Sequence, residues 1–426
     1  VGTFNQAITA FRRHITDRPK LWLVLLIGMV ALLHFSLIMT PGEYVFDEKW
    51  YVEDALKILE GKGSFIPQHP PLGRLIIAGG IAVFGDNPFG WRVFPVLSGI
   101  AGLVLMYLVC RELGLPEKLS LLAGLLFATE NLSFIQSSIA MLDVFSLSFM
   151  LAAFLAYLKG RHAASGVLIG LSMLAKFTGI LALAVIGLHW LITCRKQKLK
   201  FGVSLAAAFV VYFAGLFMLL WCIWGKFLNP FIETVTMLKI NSWSTFGVIS
   251  SDMLTRPWQW LLGYEIITYW PEPHYMAMIS SSVWALVIPA MIYMLFMAKR
   301  GNRAALFSLA WFAGTYLVWI PISLITDRTS YVFYFYPAVG ACCIAIAVFL
   351  WDIARRGADS DIPWIRALSP WTVPAFVFLH LACFVYLSPV SYPWKLAASF
   401  LFYLGIRMVF GQSEKAGHST GVDAGN

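Results

Sequence analysis

Charge is scarce in this chain. Only 12% of its 426 residues are Asp, Glu, Lys or Arg, about half the fraction of an ordinary soluble domain. The cysteines form no pattern: Cys110, Cys194, Cys222, Cys342, Cys343 and Cys383 mostly lie inside apolar runs, without metal-ligand spacing, and read as small hydrophobes. Also missing are a low-complexity tract, a clear internal repeat and any stretch polar enough for a soluble domain. These absences exclude a soluble enzyme with a single anchor, a disordered chain and a metal centre built on cysteine. The formal charge of +9 invites a nucleic-acid reading, which the distribution of the basic residues removes.

What fills the sequence instead is hydrophobic, at 59% of residues. Apolar runs long enough to approach a bilayer crossing recur at 21–39, 93–110, 119–135, 139–158, 163–175, 177–194, 203–225, 277–298, 304–325, 331–351, 370–388 and 394–410. They predict an all-α polytopic membrane protein with about twelve transmembrane helices. The first run follows Arg12 and Arg13 as a signal peptide would, but it is too long and has no small-residue cleavage site, so it reads as a retained span. A further piece at 72–84 is interrupted by glycine and too short to cross.

Basic residues collect before the first run (Arg12, Arg13, Arg18, Lys20), at Arg111 and Lys118, at Lys159 and Arg161, and at Arg195, Lys196, Lys198 and Lys200. They recur at Lys299, Arg300 and Arg303 and at Arg355, Arg356 and Arg366. All these loops share one side only if 72–84 stays out of the crossing count and 163–194 is a hairpin turning near Lys176. The positive-inside rule then makes that side, with the N-terminus, cytoplasmic. The positive charge is a topology signal, and no nucleic-acid partner is expected.

This layout divides the chain into a transmembrane module at 1–225 carrying a first outer loop at 40–91, an interfacial outer segment at 226–276 rich in Trp, Tyr and Pro, C-terminal helices at 277–410, and a disordered tail at 411–426. In the first loop, FDEKWYVEDALKILEGKG predicts an amphipathic surface helix with Asp47 as N-cap, an apolar stripe of Tyr51, Ala55, Ile58 and Leu59, and Gly61 as its end.

Ionisable residues near a membrane are costly and default to functional hypotheses. Asp47, Glu48, His69, Arg74, Arg92, Asp143, Lys176 and Arg328, with Tyr334 in YVFYFYP, all fall at the outer face. Carboxylates and cations together suit transfer of a sugar from a lipid-linked phosphate, where cations stabilise the leaving phosphate and a carboxylate takes the acceptor's proton. Each has a plainer reading too. Asp47 can be only an N-cap, Arg92 can snorkel, and Asp143 and Lys176 can be a buried structural pair.

FDE at 46–48, HPPLGR at 69–74, WRVFP at 91–95, SSIAMLD at 137–143 and LAKFTG at 174–179, in that order, resemble the protein O-mannosyltransferase family. This is a GT-C-fold group of polyprenyl-phosphate-sugar glycosyltransferases. The resemblance implies a GT-C fold with juxtamembrane helices in the first outer loop and an active site on the extracytoplasmic face. It implies inverting transfer of a hexose, mannose above all, from a polyprenyl- or dolichyl-phosphate donor to Ser/Thr hydroxyls of proteins, without metal or other cofactor.

By the same resemblance Asp47 is the base, Glu48 positions the acceptor or neighbouring cations, and Arg92 binds the donor phosphate. His69 and Arg74, where the family usually has Lys at the latter position, shape the site. Asp143, Lys176, Arg328 and Tyr334 are further substrate-binding candidates. Eukaryotic members carry a large lumenal β-trefoil-type domain for which 226–276 has no room, and the small size points to a prokaryotic plasma membrane. The rival enzyme reading keeps the donor and glycosylates a lipid, as an aminoarabinose transferase of lipid A does. A transporter or flippase is the rival from another class, and it requires broken helices paired between two related halves.

Overall fold

The computed structural model describes residues 18–193, 198–271, 274–390 and 403. Arg12, Arg13, Arg195 and Lys196, the last expected span at 394–410 and the tail at 411–426 lie outside the described residues, Tyr403 excepted.

Helix α1 (Pro19–Leu37) leads into the first long loop, which carries α2 (Glu48–Leu59) and α3 (Leu72–Phe84). Next come α4 (Pro88–Glu112), α5 (Glu117–Thr129), α6 (Asn131–Ser138), α7 (Leu142–Leu158), α8 (His162–Ala175), α9 (Leu181–Thr193) and α10 (Lys198–Trp224). The second long connecting segment holds α11 (Pro230–Ser242), the single turn α12 (Gln259–Leu262) and a hairpin of β1 (Ile267–Trp270) and β2 (Tyr275–Ala277). The hairpin is antiparallel, with Ile267 opposite Ala277. The remaining helices are α13 (Ser281–Lys299), α14 (Arg303–Phe312), α15 (Trp319–Thr326), α16 (Val339–Ala358), α17 (Pro363–Leu368) and α18 (Thr372–Leu387).

Each apolar run before residue 390 is helical, but the expected number of about twelve crossings is not confirmed. Among the described residues seven helical stretches are long and apolar enough to cross a membrane, eight if α5 and α6 count as one span bent by 60°. The runs at 139–158, 163–175 and 177–194 became α7, α8 and, after a 3₁₀ turn at Phe177–Ile180, α9. α7 has 17 residues and α8 has 14, and 177–193 forms one apolar helical stretch of the same length as α7, so these elements are at or below the short end of the range for a spanning helix. A run of hydropathy reports burial in protein or lipid alike, so it does not by itself count crossings.

α16 is buried along most of its length and is the central helix, packed against α5, α13 and α14. α8 lies tightly on α10 because it offers glycine at the crossing. A Cβ on Gly166 would stand 2.3 Å from the Ser204 carbonyl oxygen, and one on Gly170 would stand 2.7 Å from Val211 Cβ. Small residues four apart let helix backbones approach where no hydrophobic effect drives association.

The surface helix of the first loop forms as Glu48–Leu59, and Gly61 follows it with φ +72°. Its buried face differs from the expected stripe. Tyr51, Val52 and Ala55 are buried together with two acids, Glu48 and Asp54, while Leu59 is 46% exposed. A helix with buried acids on one face is docked against partners of opposite charge, not floated on lipid.

Candidate active site

The motif FDE begins with backbone strain. Phe46 has φ +52°, in the left-handed region, which costs a non-glycine residue roughly 1–3 kcal/mol. Its ring is held by stacking on Tyr269 at 4.0 Å between centroids and by an edge contact with Phe333 at 5.9 Å. At this turn the two consecutive acids part company.

Glu48 goes inward. It is fully buried and accepts four hydrogen bonds, from Val45 N (2.8 Å), Ala140 N (2.7 Å), Arg92 Nε (2.9 Å) and Arg92 Nη2 (2.8 Å). Arg92 spends its other donors on the carbonyls of Ile38 (3.1 Å), Pro41 (2.8 Å) and Glu43 (2.9 Å). A guanidinium has five N–H groups, and all of Arg92's are used at 0% exposure. The expectation that Arg92 binds the donor phosphate is therefore corrected: it has no donor left, and it ties the 38–48 segment to α4. The acid beside Asp47 is the partner of a cation, one of its two expected roles.

A second buried pair shapes the wall opposite. Arg74 Nη1 donates to Asp54 Oδ2 (2.6 Å), Ser64 Oγ (2.7 Å) and the Ile66 carbonyl (2.9 Å), and Nη2 donates to the His69 carbonyl (2.7 Å). Arg74, 2% exposed, thus sets the course of the 64–69 loop from behind, with its Nε left unpartnered. Gly73 of the HPPLGR motif is there for close approach. A Cβ would lie 2.8 Å from Leu142 Cδ2 and 2.9 Å from the Ala175 carbonyl oxygen, so only glycine lets the head of α3 sit against the residues flanking Asp143 and Lys176.

Between these supports lies a cavity of about 400 Å³ whose lining includes Asp47, Trp50, Tyr51, Phe65 and His69. Asp47 occupies the N-cap position of α2, yet its side chain makes no capping bond. Among the described residues its carboxylate accepts no hydrogen bond. Burial raises its pKa to about 6; Lys176 pulls it down and Asp143 pushes it up. Burial and the cations Lys176, Arg74 and Arg328 keep the His69 imidazole neutral, well below its ordinary pKa. Its buried Nδ1 has no partner. Burial, with the charges of Asp47 and Asp143, holds the Tyr51 phenol protonated.

One cation, Lys176, acts on this carboxylate, and a second, Arg328, acts on the His69 imidazole of the same cavity. Lys176 Nζ donates to both oxygens of Asp143 (2.8 and 2.7 Å) and lies 5.6 and 5.8 Å from the ring centroids of Phe333 and Tyr334. Arg328, half-buried, spends Nη2 on Asn241 Oδ1 (3.0 Å), leaves a buried Nε unpartnered and has no carboxylate in ion-pair distance among the described residues. Asn241 in turn donates to the Gln68 carbonyl (2.8 Å), linking α11 to the loop bearing His69. Of the residues proposed from sequence, Asp47, His69, Asp143, Lys176, Arg328 and Tyr334 are thus brought together, while Glu48, Arg74 and Arg92 stand behind them.

Sequence reasoning missed Asp54, Asn241, Tyr269 and Glu130. Asp54 sits seven residues after Asp47 in a helix that reads as a solvated surface element. Glu130, at the α5–α6 bend, is fully buried and accepts from Ser133 N and Ser280 N, both at 2.8 Å. Its one available signal was a lone acid inside an apolar run.

Among the described residues no group of three or more His, Cys, Asp or Glu side chains is placed to hold a metal ion.

Comparison with known proteins bears on the whole chain. Residues 68–224 match the family described as dolichyl-phosphate-mannose-protein mannosyltransferase. A polyprenol-phosphate-mannose–protein mannosyltransferase of Mycobacterium tuberculosis is 25% identical, across 88% of this chain and 89% of its own length. The fold is shared with the S. cerevisiae protein O-mannosyltransferase Pmt1-Pmt2 complex bound to the sugar donor, at TM-score 0.73, 14% identity, 96% of this chain and 97% of that one. It is shared less closely with ArnT from Cupriavidus metallidurans bound to undecaprenyl phosphate, at TM-score 0.58, 16% identity, 91% of this chain and 76% of that one. The match over 68–224, the relative that runs the length of the chain and the helical architecture together make this multi-pass membrane protein similar to the GT-C-fold protein O-mannosyltransferases.

Proposed function

We propose that the protein transfers mannose from a polyprenyl-phosphate donor to Ser/Thr hydroxyls of polypeptides, with inversion at the anomeric carbon. The observation that carries this reading is the Asp47 carboxylate: unbonded, lifted to a pKa of about 6, and set in a cavity beside cations. A general base works best with a pKa near the operating pH. Asp47 takes the proton of the acceptor hydroxyl as its oxygen attacks the anomeric carbon, and the bond from that carbon to the phosphate oxygen breaks. Polyprenyl phosphate leaves carrying the electron pair. Arg328 and Lys176 stabilise the charge that develops there, and the protonated phenol of Tyr51, the Tyr334 hydroxyl and the neutral His69 imidazole supply hydrogen bonds to the sugar or phosphate.

The step uses no metal and no protein nucleophile. The site faces the extracytoplasmic side of a prokaryotic plasma membrane, with the basic loops cytoplasmic. Support for donor and acceptor comes from the relatives, which are mannosyltransferases named for a polyprenol-phosphate donor and a protein acceptor.

A lipid acceptor is the second reading. An undecaprenyl phosphate-aminoarabinose arabinosyl transferase of Pseudomonas paraeruginosa is 32% identical, though over only 30% of this chain and 24% of its own length. The deciding experiment incubates the protein in nanodiscs with polyprenyl-phosphate-[³H]mannose and a Ser/Thr-rich peptide, beside Asp47→Asn. Label on the peptide, lost in the variant, supports the proposal. Label on lipid alone moves the acceptor, and donor turnover by Asp47→Asn at the wild-type rate removes Asp47 as base.

A further inference from the structure

A second cavity, of about 270 Å³, opens at the other end of the bundle. Tyr157 at the end of α7, His162 at the start of α8, His189 and Trp190 near the end of α9, Lys200 in the first turn of α10 and Arg303 at the start of α14 all line it. Tyr157 is 14 residues after Asp143 on the same helix, so this cavity lies roughly 21 Å along α7 from the Asp47 site.

Its chemistry is that of an anion site. Among the described residues neither Lys200 nor Arg303 has a carboxylate within ion-pair distance. The buried Nδ1 of His162 and the buried indole Nε1 of Trp190 have no hydrogen-bond partner, and orphaned buried polar atoms call for a ligand or water. Tyr157 and His189 are hydrogen-bonded to each other at 2.9 Å, and Trp190 is held by stacking on Phe201 at 4.6 Å, so the walls are built rather than loose. α8, α10 and α14 present their N-termini here, the helix end that favours negative charge. α8, with 14 residues, reaches only about two-thirds of the way across a bilayer core. Headgroups can therefore settle against this end.

We propose that this cavity binds a phosphoryl anion, with Lys200 and Arg303 neutralising it and the Trp190 indole and a His162 ring nitrogen donating to it. Two sources offer that group: the phosphodiester of an anionic phospholipid such as phosphatidylglycerol, and free phosphate. The site is separate from mannosyl transfer and stands whatever that reaction proves to be.

The test uses the delipidated full chain in detergent, titrated with phosphatidylglycerol or phosphatidylcholine and followed by native mass spectrometry. In a parallel arm, phosphatidylcholine nanodiscs are titrated with inorganic phosphate and followed by thermal melting. Lys200→Gln/Arg303→Gln should weaken the bound anion by about thirtyfold, as loss of two cations near a membrane surface predicts. Trp190→Phe keeps every charge and should still weaken it severalfold, which separates a built cavity from general attraction to basic residues. Elution profile and melting without ligand confirm that both variants fold. Selective binding of phosphatidylglycerol over phosphatidylcholine identifies a lipid source, and stabilisation by inorganic phosphate identifies the free anion. Binding that is indifferent to Trp190→Phe, binding equal in wild type and the double variant, or no binding of either anion overturns the proposal.

Discussion

Glu48 and Arg92 meet through two hydrogen bonds, of 2.9 and 2.8 Å, at 0% exposure on both sides. The pair closes the mouth of the first long loop onto α4 and so sets where Asp47 can point. Two adjacent acids thereby acquire opposite roles, one neutralised by a saturated arginine and one left unbonded in a cavity.

Breaking that pair should act on folding. Arg92→Ala leaves a buried carboxylate without its counter-charge, a loss of about 3–5 kcal/mol, and Arg92→Lys cannot replace five donors. Both should lower the melting temperature in detergent and reduce the yield of monodisperse protein. An Arg92 variant with wild-type melting and lost donor binding would restore Arg92 as a phosphate ligand.

Asp47→Asn should behave in the opposite manner. Its carboxylate makes no hydrogen bond to lose, so melting should hold or rise slightly while turnover drops about 10²–10⁴-fold, the usual contribution of a general base. Binding of labelled donor should persist.

The pH dependence has a definite sign. Asp47 must be ionised to accept a proton, so turnover should climb with pH through about 6 and then level off. Its folded pKa lies above the ordinary 3.8. Its contribution to stability is therefore complete below 3.8 and declines as pH rises through about 6. Asp143→Asn/Lys176→Met removes both neighbouring charges without stranding either. Because Lys176 acts on Asp47 more strongly than Asp143 does, the acid limb of the rate profile should then move above 6.

Arg328 carries a prediction about affinity. Loss of a charge-assisted hydrogen bond costs about 1.5–3 kcal/mol, so Arg328→Ala should weaken donor binding roughly 10–100-fold. Melting should change little, since the side chain makes one hydrogen bond, to Asn241. Unchanged donor affinity would exclude it from the phosphate site.

Much of this site was legible because its residues come in short motifs. FDE, HPPLGR and LAKFTG name Asp47, His69 and Lys176 by position, and the hairpin turning at Lys176 followed from the basic residues at both its ends. Arg92 was misassigned because a sequence shows a cation near acids without showing how many donors those acids and the backbone will consume. Asp54 was passed over for a related reason: its partner Arg74 is 20 residues away, and the pairing exists only once α3 docks on α2.

The sequence by itself determined the environment of this protein. Its hydropathy made it helical and membrane-embedded, its basic loops set the expected orientation, and the order of its motifs carried the likeness to the protein O-mannosyltransferases. These are properties of single segments, each answering to solvent or bilayer on its own. Tertiary structure decided which charged residues are spent and which are free. A buried charge is stabilised only by partners that packing brings within about 3 Å. Glu48, Asp54, Arg74 and Arg92 found such partners, and Asp47 and much of Arg328 were left available for chemistry.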